Sequence, residues 1–152
     1  MHHCRLVLLG LMLSLFSCTE TPKKVEPSIQ FIDSPTGEGS ALPFLFANDT
    51  ATLLSWVEPI DDSLMVSKYS YLKEDIWMEP ETIVSGGDWF VNWADFPAIA
   101  ENNGHILSHV LKKSSEGTYS YDIKLNLKTA GAASWENNLQ LHNDSTATEH
   151  GF

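Results

Sequence analysis

The chain has 152 residues, of which 43% are hydrophobic, and its twenty acidic side chains against nine basic ones give a formal net charge of −11. This excess of negative charge excludes an electrostatic basis for binding nucleic acid and argues against direct binding to an anionic membrane. The sequence contains no Gly-rich phosphate loop and no G-x-S-x-G nucleophile elbow, so it offers no motif for nucleotide binding or serine-hydrolase chemistry.

Residues 1–17 are predicted to form a signal peptide. The apolar run from Leu6 to Phe16 follows a weakly basic start and is shorter than the roughly 20 residues of a membrane span. The segment LFSC at 15–18 resembles the lipobox of bacterial lipoproteins, in which the cysteine, here Cys18, is lipidated and becomes the new N-terminus. We therefore expect a location in the bacterial cell envelope (outer membrane, periplasm or cell surface), with a lipid anchor as the only membrane contact. The alternative is a plain secretory signal with an incidental cysteine.

Residues 18–40 are predicted to be a linker, because their first part is polar and contains two prolines. Residues 18–152 hold eight lysines, twenty acids and no arginine, a formal charge of −12. If Cys18 carries lipid, no thiol remains there for a disulfide, a metal site or catalysis. We expect no cofactor and no metal.

Two stretches of the chain are similar to each other. The first, over residues 42–77, contains LPFL, LLSW, KYSY and a final Trp in that order. The second, over residues 96–135, contains FPAI, LSHV, TYSY and a final Trp. A repeat of this length, composed of short strands and ending in Trp, is typical of consecutive β-propeller blades.

Four segments have the pattern of strands: residues 52–57, 64–71, 106–111 and 119–127. Turn residues separate them, and no segment shows sustained helical periodicity. The fold class is therefore predicted to be all-β. Each repeat is predicted to be a four-stranded antiparallel sheet, over about 42–84 and 96–141, with 142–152 opening a third.

The prediction for residues 41–152 is thus a partial β-propeller of two blades and the start of a third. A propeller needs about 4–8 blades to close. The missing blades are expected to come from a longer chain, of which this is the front end, or from self-association. Trp56, Leu107 and Ile123 are expected to pack the two blades together, and other apolar side chains are expected to stay exposed.

The chain resembles the sialidase-like (neuraminidase) propellers, in particular bacterial exo-sialidase-like proteins, over about residues 40–152. The stretches that carry this resemblance are DWFVNWADFP at 88–97, GTYSYD at 117–122 and TEHGF at 148–152. The segment KTAGAASW at 128–135 occupies the place of the family's Asp-box, S-x-D-x-G-x-T-W, with Ala130 where the Asp belongs. The resemblance implies a secreted propeller that acts on or binds carbohydrate.

The sequence departs from the family at the arginines that bind the substrate carboxylate. The family's first arginine lies in a Phe-Arg-Ile-Pro motif, and Ala41 occupies its place in the corresponding segment at 40–43. A planar guanidinium grips a carboxylate through two hydrogen bonds, which a lysine cannot reproduce. The resemblance places the remaining arginines, the Tyr nucleophile and its Glu partner beyond Phe152. This polypeptide alone is therefore expected to lack sialidase activity.

Aromatic and acidic residues are concentrated between the two repeats. Aromatic rings stack on sugars, and carboxylates and amides bind hydroxyl groups, so this cluster suits a carbohydrate site. The alternative, weighed equally, is that the tryptophans pack between blades and the acids make turn hydrogen bonds. The candidate ligand-binding residues are Asp88, Trp89, Asn92, Trp93, His109 and Tyr121.

Titratable residues elsewhere in the chain could supply acid–base groups. The candidate catalytic residues are Asp95, Asp122, Glu149 and His150. Each has a structural alternative: His109 lies in an apolar strand, where a hydrogen-bonded core histidine is the commoner case, and Asp122 lies on the polar face of a strand. The predicted function is that of an exported sialidase-like protein acting on or binding carbohydrate, as a truncated glycoside hydrolase. The alternative is a non-catalytic propeller that binds a glycan or a protein partner.

Overall fold

The structure is a computed structural model that describes residues 26–143. The chain divides into two compact units, Met1–Phe31 and Ile32–Phe152. The described residues of the first unit, 26–31, form no helix or strand, and every strand of the described chain lies in the second unit. The all-β prediction is confirmed for residues 26–143, which form two antiparallel sheets and no helix.

The first sheet corresponds to the first repeat. It has five strands rather than the predicted four, in the order β1-β2-β3-β4, with β5 also paired to β3. The additional strand is the two-residue β4, which pairs with the end of β3 beyond the part that β5 covers. The strands are β1 (Ala41–Ala47), β2 (Thr52–Pro59), β3 (Met65–Lys73), β4 (Ile76–Trp77) and β5 (Glu81–Gly86).

The second sheet corresponds to the second repeat and has the predicted four strands, in sequential order. The last two strands pair with a register shift, and Asn138 has a φ of 61° there. Tyr119 was expected in the third strand of this sheet, but it lies in the turn before that strand. Ser114 N donates to Ser120 O, and Ser120 N donates to Gly117 O, and these two hydrogen bonds close the turn. The strands are β6 (Ile99–Asn102), β7 (His105–Lys113), β8 (Tyr121–Lys128) and β9 (Glu136–Gln140).

The main core lies between one face of each sheet, which we call the inner faces. Its central residues are Leu53, Tyr69, Ile83, Val84, Ile99, Ile106 and Val110. The expectation that Trp56, Leu107 and Ile123 pack the sheets together is wrong. Leu107 follows Ile106 and is 41% exposed on the opposite, outer face, because successive side chains of a strand point to opposite faces. Register pairing places Ile123 and Trp56 on the outer faces as well.

A polar contact joins the turn that follows β1 of the first sheet to β6 of the second. Asn48 Nδ2 donates to the Glu101 carbonyl at 3.1 Å and to its carboxylate Oε2 at 2.9 Å. Gly104 N donates to the other carboxylate oxygen at 2.6 Å. The hydrogen bond from Asn48 has the largest effect on the pKa of Glu101, followed by that from Gly104, and both lower it. The carboxylate is therefore charged near neutral pH.

The two sheets of residues 26–143 do not close into a propeller or a barrel. Within the same residues, no helix is long and apolar enough to cross a membrane. The predicted signal peptide and Cys18 lie outside the described residues, as do Glu149 and His150.

Candidate functional site

A short segment between the sheets extends the edge of the second one. Trp89 forms a β-bridge with Lys112 of β7. Phe90 N donates to Leu111 O at 2.7 Å, and Lys113 N donates to Asp88 O at 2.8 Å. Because side chains alternate along an extended segment, this bridge directs Trp89 to the inner face and Phe90 to the outer face.

The Phe90 ring is part of an aromatic cluster on the outer face of the second sheet. It stacks on Tyr121 with ring centroids 4.5 Å apart and planes at 13°, and it meets Tyr119 edge-on at 5.9 Å. Tyr121 is buried, whereas Tyr119 is 45% exposed. Burial raises the pKa of Tyr121, and the nearby Asp95 adds to the rise, so this hydroxyl is protonated at neutral pH.

A cavity of about 230 Å³, which we call the first cavity, lies beside this cluster. Phe90 and Tyr121 contribute aromatic rings to its lining, Trp89 also borders it, and its polar groups come from Asp88, Lys113 and Ser120. The Asp88 carboxylate is half exposed and lies 3.3 Å from Lys112 Nζ. An aromatic wall with a few charged and hydroxyl groups is the usual composition of a small-molecule site.

The residues that follow Phe90 form a tight turn held by two of the candidate residues. Asn92 Oδ1 accepts hydrogen bonds from Ala94 N at 2.7 Å and from Asp95 N at 2.9 Å. Asn92 Nδ2 donates to Asp95 Oδ2 at 3.0 Å. Asn92 and Asp95 therefore stabilise the turn, and this turn presents Trp93, 87% exposed, to solvent.

Two other candidate residues lie away from the first cavity. His109 is half-buried on the outer face of β7, does not line the cavity, and burial lowers its pKa, which favours the neutral imidazole. Asp122 pairs with Lys112 in the register of β7 and β8, so it lies on the opposite face of β8 from Tyr121. The structure thus brings Asp88, Trp89 and Tyr121 to one cavity and separates His109 and Asp122 from it.

Asp122 belongs to a second polar cluster. Its Oδ2 lies 3.5 Å from both Lys124 Nζ and His142 Nε2. Its Oδ1 is buried and has no hydrogen-bond partner among residues 26–143. His142 did not stand out in the sequence, because only the pairing of β8 with β9 brings it to Asp122. Phe90 and Lys113 were also missed as lining residues, since their contribution depends on the bridge to β7.

The first cavity offers groups suited to binding a small molecule. Its aromatic groups can stack on an apolar ring face, and Asp88, Lys113 and Ser120 can exchange hydrogen bonds with hydroxyl groups. No group of three or more His, Cys, Asp or Glu within residues 26–143 is arranged to hold a metal ion. Comparison of the chain with protein-family models, with curated proteins and with solved structures gives no match.

Proposed function

We propose that the protein binds carbohydrate through the first cavity and the turn beside it, as part of an exported sialidase-like propeller. The observation that carries this proposal is the pair of stacked rings, Phe90 and Tyr121, that borders the cavity beside the charged groups of Asp88 and Lys113. Sugars present both apolar ring faces and hydroxyl groups, so a site for them needs both kinds of partner. The two antiparallel sheets are, in this proposal, adjacent blades.

Exposed aromatic rings near the first cavity support the same function. Trp93 is 87% exposed and Tyr119 is 45% exposed, although apolar rings of this size are normally buried in a folded domain. Tyr119 lies between the cavity-lining residues Thr118 and Ser120, and Asp95, which ends the Trp93 turn, influences the pKa of Tyr121. A sugar ring stacked on either ring would cover this apolar surface.

Binding is favoured over sialic acid hydrolysis in this proposal. Residues 18–152 contain no arginine, so the bidentate recognition of a sugar carboxylate is missing from them. The Asp88 carboxylate forms an ion pair with Lys112 Nζ at 3.3 Å, so it already has a partner within the chain.

The proposed location is the bacterial cell envelope, through lipid on Cys18. The supporting observation is the apolar run that ends in Ser17-Cys18. Mass spectrometry of the mature N-terminus tests this: a diacylglyceryl group on Cys18 is expected, and an unmodified Cys18 or cleavage elsewhere would contradict it.

The binding proposal is tested by calorimetric titration of the purified protein with lactose, chitobiose and 3′-sialyllactose. Trp93→Ala and Tyr119→Ala are expected to weaken binding of at least one of these sugars about tenfold, a loss of about 1.4 kcal/mol. Their melting temperatures should stay close to that of the parent, because both rings are exposed. Leu45→Ala is the matched control, since Leu45 is 61% exposed on the other sheet.

Unchanged affinity in both variants, with lowered stability, would mean that these rings serve packing and would contradict the proposal. A fluorogenic sialoside separates binding from catalysis. We expect no turnover by this polypeptide, and measurable turnover that Asp88→Asn abolishes would favour the hydrolase alternative.

A further inference from the structure

A larger cavity, which we call the second cavity, lies on the outer face of the first sheet. Its volume is about 450 Å³, within the usual range for small-molecule sites. Pro35, Thr36 and Gly37 line it from the strap, which we define as residues 34–40. Trp77 at the end of β4 and the segment that follows it up to Pro80 also line the cavity.

Glu58 of β2 organises the base of the second cavity. Its Oε1 accepts hydrogen bonds from Trp56 Nε1 at 2.6 Å and from Gly37 N of the strap at 3.2 Å. Its Oε2 lies 2.6 Å from Lys68 Nζ of β3. Burial favours the protonated acid, but the hydrogen bonds from Lys68, Trp56 and Gly37 outweigh it and lower the pKa of Glu58 to about 2. The base is therefore a fixed, charged pair that is in place before any ligand arrives.

The other lining groups suit a ring-shaped ligand with hydroxyl groups. Trp77 is half-buried and offers a flat aromatic surface, with Met78 and Pro80 beside it. Thr36 supplies a hydroxyl from the strap, and the Lys68 ammonium has three N–H donors, of which Glu58 takes one. Apolar and hydrogen-bonding partners are thus both present in the lining.

The charges of the second cavity select against an acidic ligand. Lys68 is its only cation among the described lining residues, and Glu58 neutralises it at 2.6 Å. Glu79 adds a second carboxylate to the lining, and it has no ion-pair partner among residues 26–143. An anion would meet net negative charge here, and the whole chain carries −11.

We infer that the second cavity binds a neutral saccharide, stacked on Trp77 and hydrogen-bonded to the Glu58–Lys68 pair. The second cavity shares no lining residue with the first, so this site does not depend on the proposed function. In particular, it does not require Trp93, the aromatic cluster of Phe90 or closure of a propeller.

The test is calorimetric titration of the purified protein with lactose, cellobiose and chitobiose, and with 3′-sialyllactose as an acidic counterpart. Trp77→Ala and Lys68→Met are each expected to weaken binding of a neutral disaccharide about tenfold or more, while Trp77→Phe keeps part of the affinity. Leu139→Ala is the matched control and should leave this binding unchanged, because Leu139 is partly exposed on the second sheet and lines neither cavity. Loss of neutral-sugar binding in Trp93→Ala alone would assign that binding to the first cavity and overturn the inference.

A second measurement on the unaltered protein does not depend on variants that fold. In a ¹⁵N-labelled sample, lactose, cellobiose or chitobiose should shift the indole N–H signal of Trp77, whether or not the first cavity also binds the sugar. No shift of the Trp77 signal with any of the three sugars at about 20 mM would overturn the inference, since even millimolar affinity gives substantial occupancy at that concentration. Tighter binding of 3′-sialyllactose that Lys68→Met abolishes would also overturn it, because the site would then select an anion.

Discussion

Lys128 of β8 reaches across to the first sheet, where its Nζ lies 2.6 Å from Glu81 Oε2. The same ammonium lies 3.3 Å from the Tyr69 hydroxyl, and Trp135 meets the Tyr69 ring edge-on at 5.7 Å. Burial is the main cause that raises the pKa of Tyr69 above its ordinary value, and the negative charge of Glu81 adds to the rise. The hydroxyl therefore stays neutral and accepts a hydrogen bond from Lys128. This contact joins the sheets at one end of the core.

Replacing Lys128 by Met should lower the free energy of unfolding by about 1 kcal/mol. The loss is modest because Glu81 is half exposed and solvent screens the pair. Urea denaturation measures it, with Lys73→Met on exposed β3 surface as the control. The difference between the variants should shrink in high salt. Equal stability of the two variants at low salt would show that the pair contributes nothing.

Glu58 should make the stability depend on acid pH. Its folded-state pKa is about 2, below the ordinary 4.5, so its contribution is fully present above pH 4.5 and is lost as the pH falls toward 2. The contribution should be on the order of 2 kcal/mol, discounted from the full shift because the second cavity is open to water. Glu58→Gln should remove that share of the acid sensitivity.

The comparison is made by measuring denaturation of the parent and of Glu58→Gln between pH 7 and about pH 2. Asp62→Asn is the control, because Asp62 is exposed in the turn between β2 and β3. Parallel stability curves for the parent and Glu58→Gln would refute a role for the Glu58–Lys68 pair in acid unfolding.

The strands could be predicted from the sequence, but the faces that pack could not. The apolar run at 52–57 and the alternation after Tyr121 are local patterns, and each marks a strand. In β7, however, Ile106 and Leu107 are both apolar, so periodicity alone does not say which of them lies in the core. That choice depends on the partner sheet, whose contacts are distant in sequence.

The same limit applies to the two cavities. Aromatic and acidic residues at 88–95 marked the first cavity in the sequence, because they are dense and close together. The stacking of Phe90 on Tyr121 depends on residues 31 positions apart and has no local signal. Glu58 likewise meets Gly37 across 21 positions, so the second cavity could not be predicted from the sequence.

Gly87 is a position where any side chain should be costly. A Cβ atom built at Gly87 would overlap the Ser63 carbonyl oxygen. This oxygen belongs to the backbone, so it cannot move aside as the end of a flexible side chain can. Gly87→Ala should therefore destabilise the protein by about 2–3 kcal/mol. Gly131→Ala is the control: its φ of 77° costs about 1 kcal/mol, but nothing lies within 4 Å. A smaller loss for Gly87→Ala than for Gly131→Ala in urea denaturation would contradict this account.

The outer face of the second sheet should cause self-association. Leu107 is 41% exposed and Leu139 is 36% exposed, and the register places both on the face that carries Leu125 and Leu127. An apolar patch of this kind is an interface or an aggregation liability. The protein should therefore associate in sedimentation velocity as its concentration rises. The double variant Leu107→Lys, Leu139→Lys should sediment as a monomer with nearly unchanged stability, because both side chains are partly solvated.

The matched control places the same two charges on the first sheet and the turn that follows β2. Leu45 and Ile60 are 61% and 54% exposed, so Leu45→Lys, Ile60→Lys removes comparable apolar surface without touching the second sheet. This control should associate as the parent does, because its second sheet is intact. If the parent is instead a monomer that melts cooperatively at every concentration, the outer face of the second sheet needs no partner. The two sheets would then form a self-contained domain rather than adjacent blades of a larger assembly.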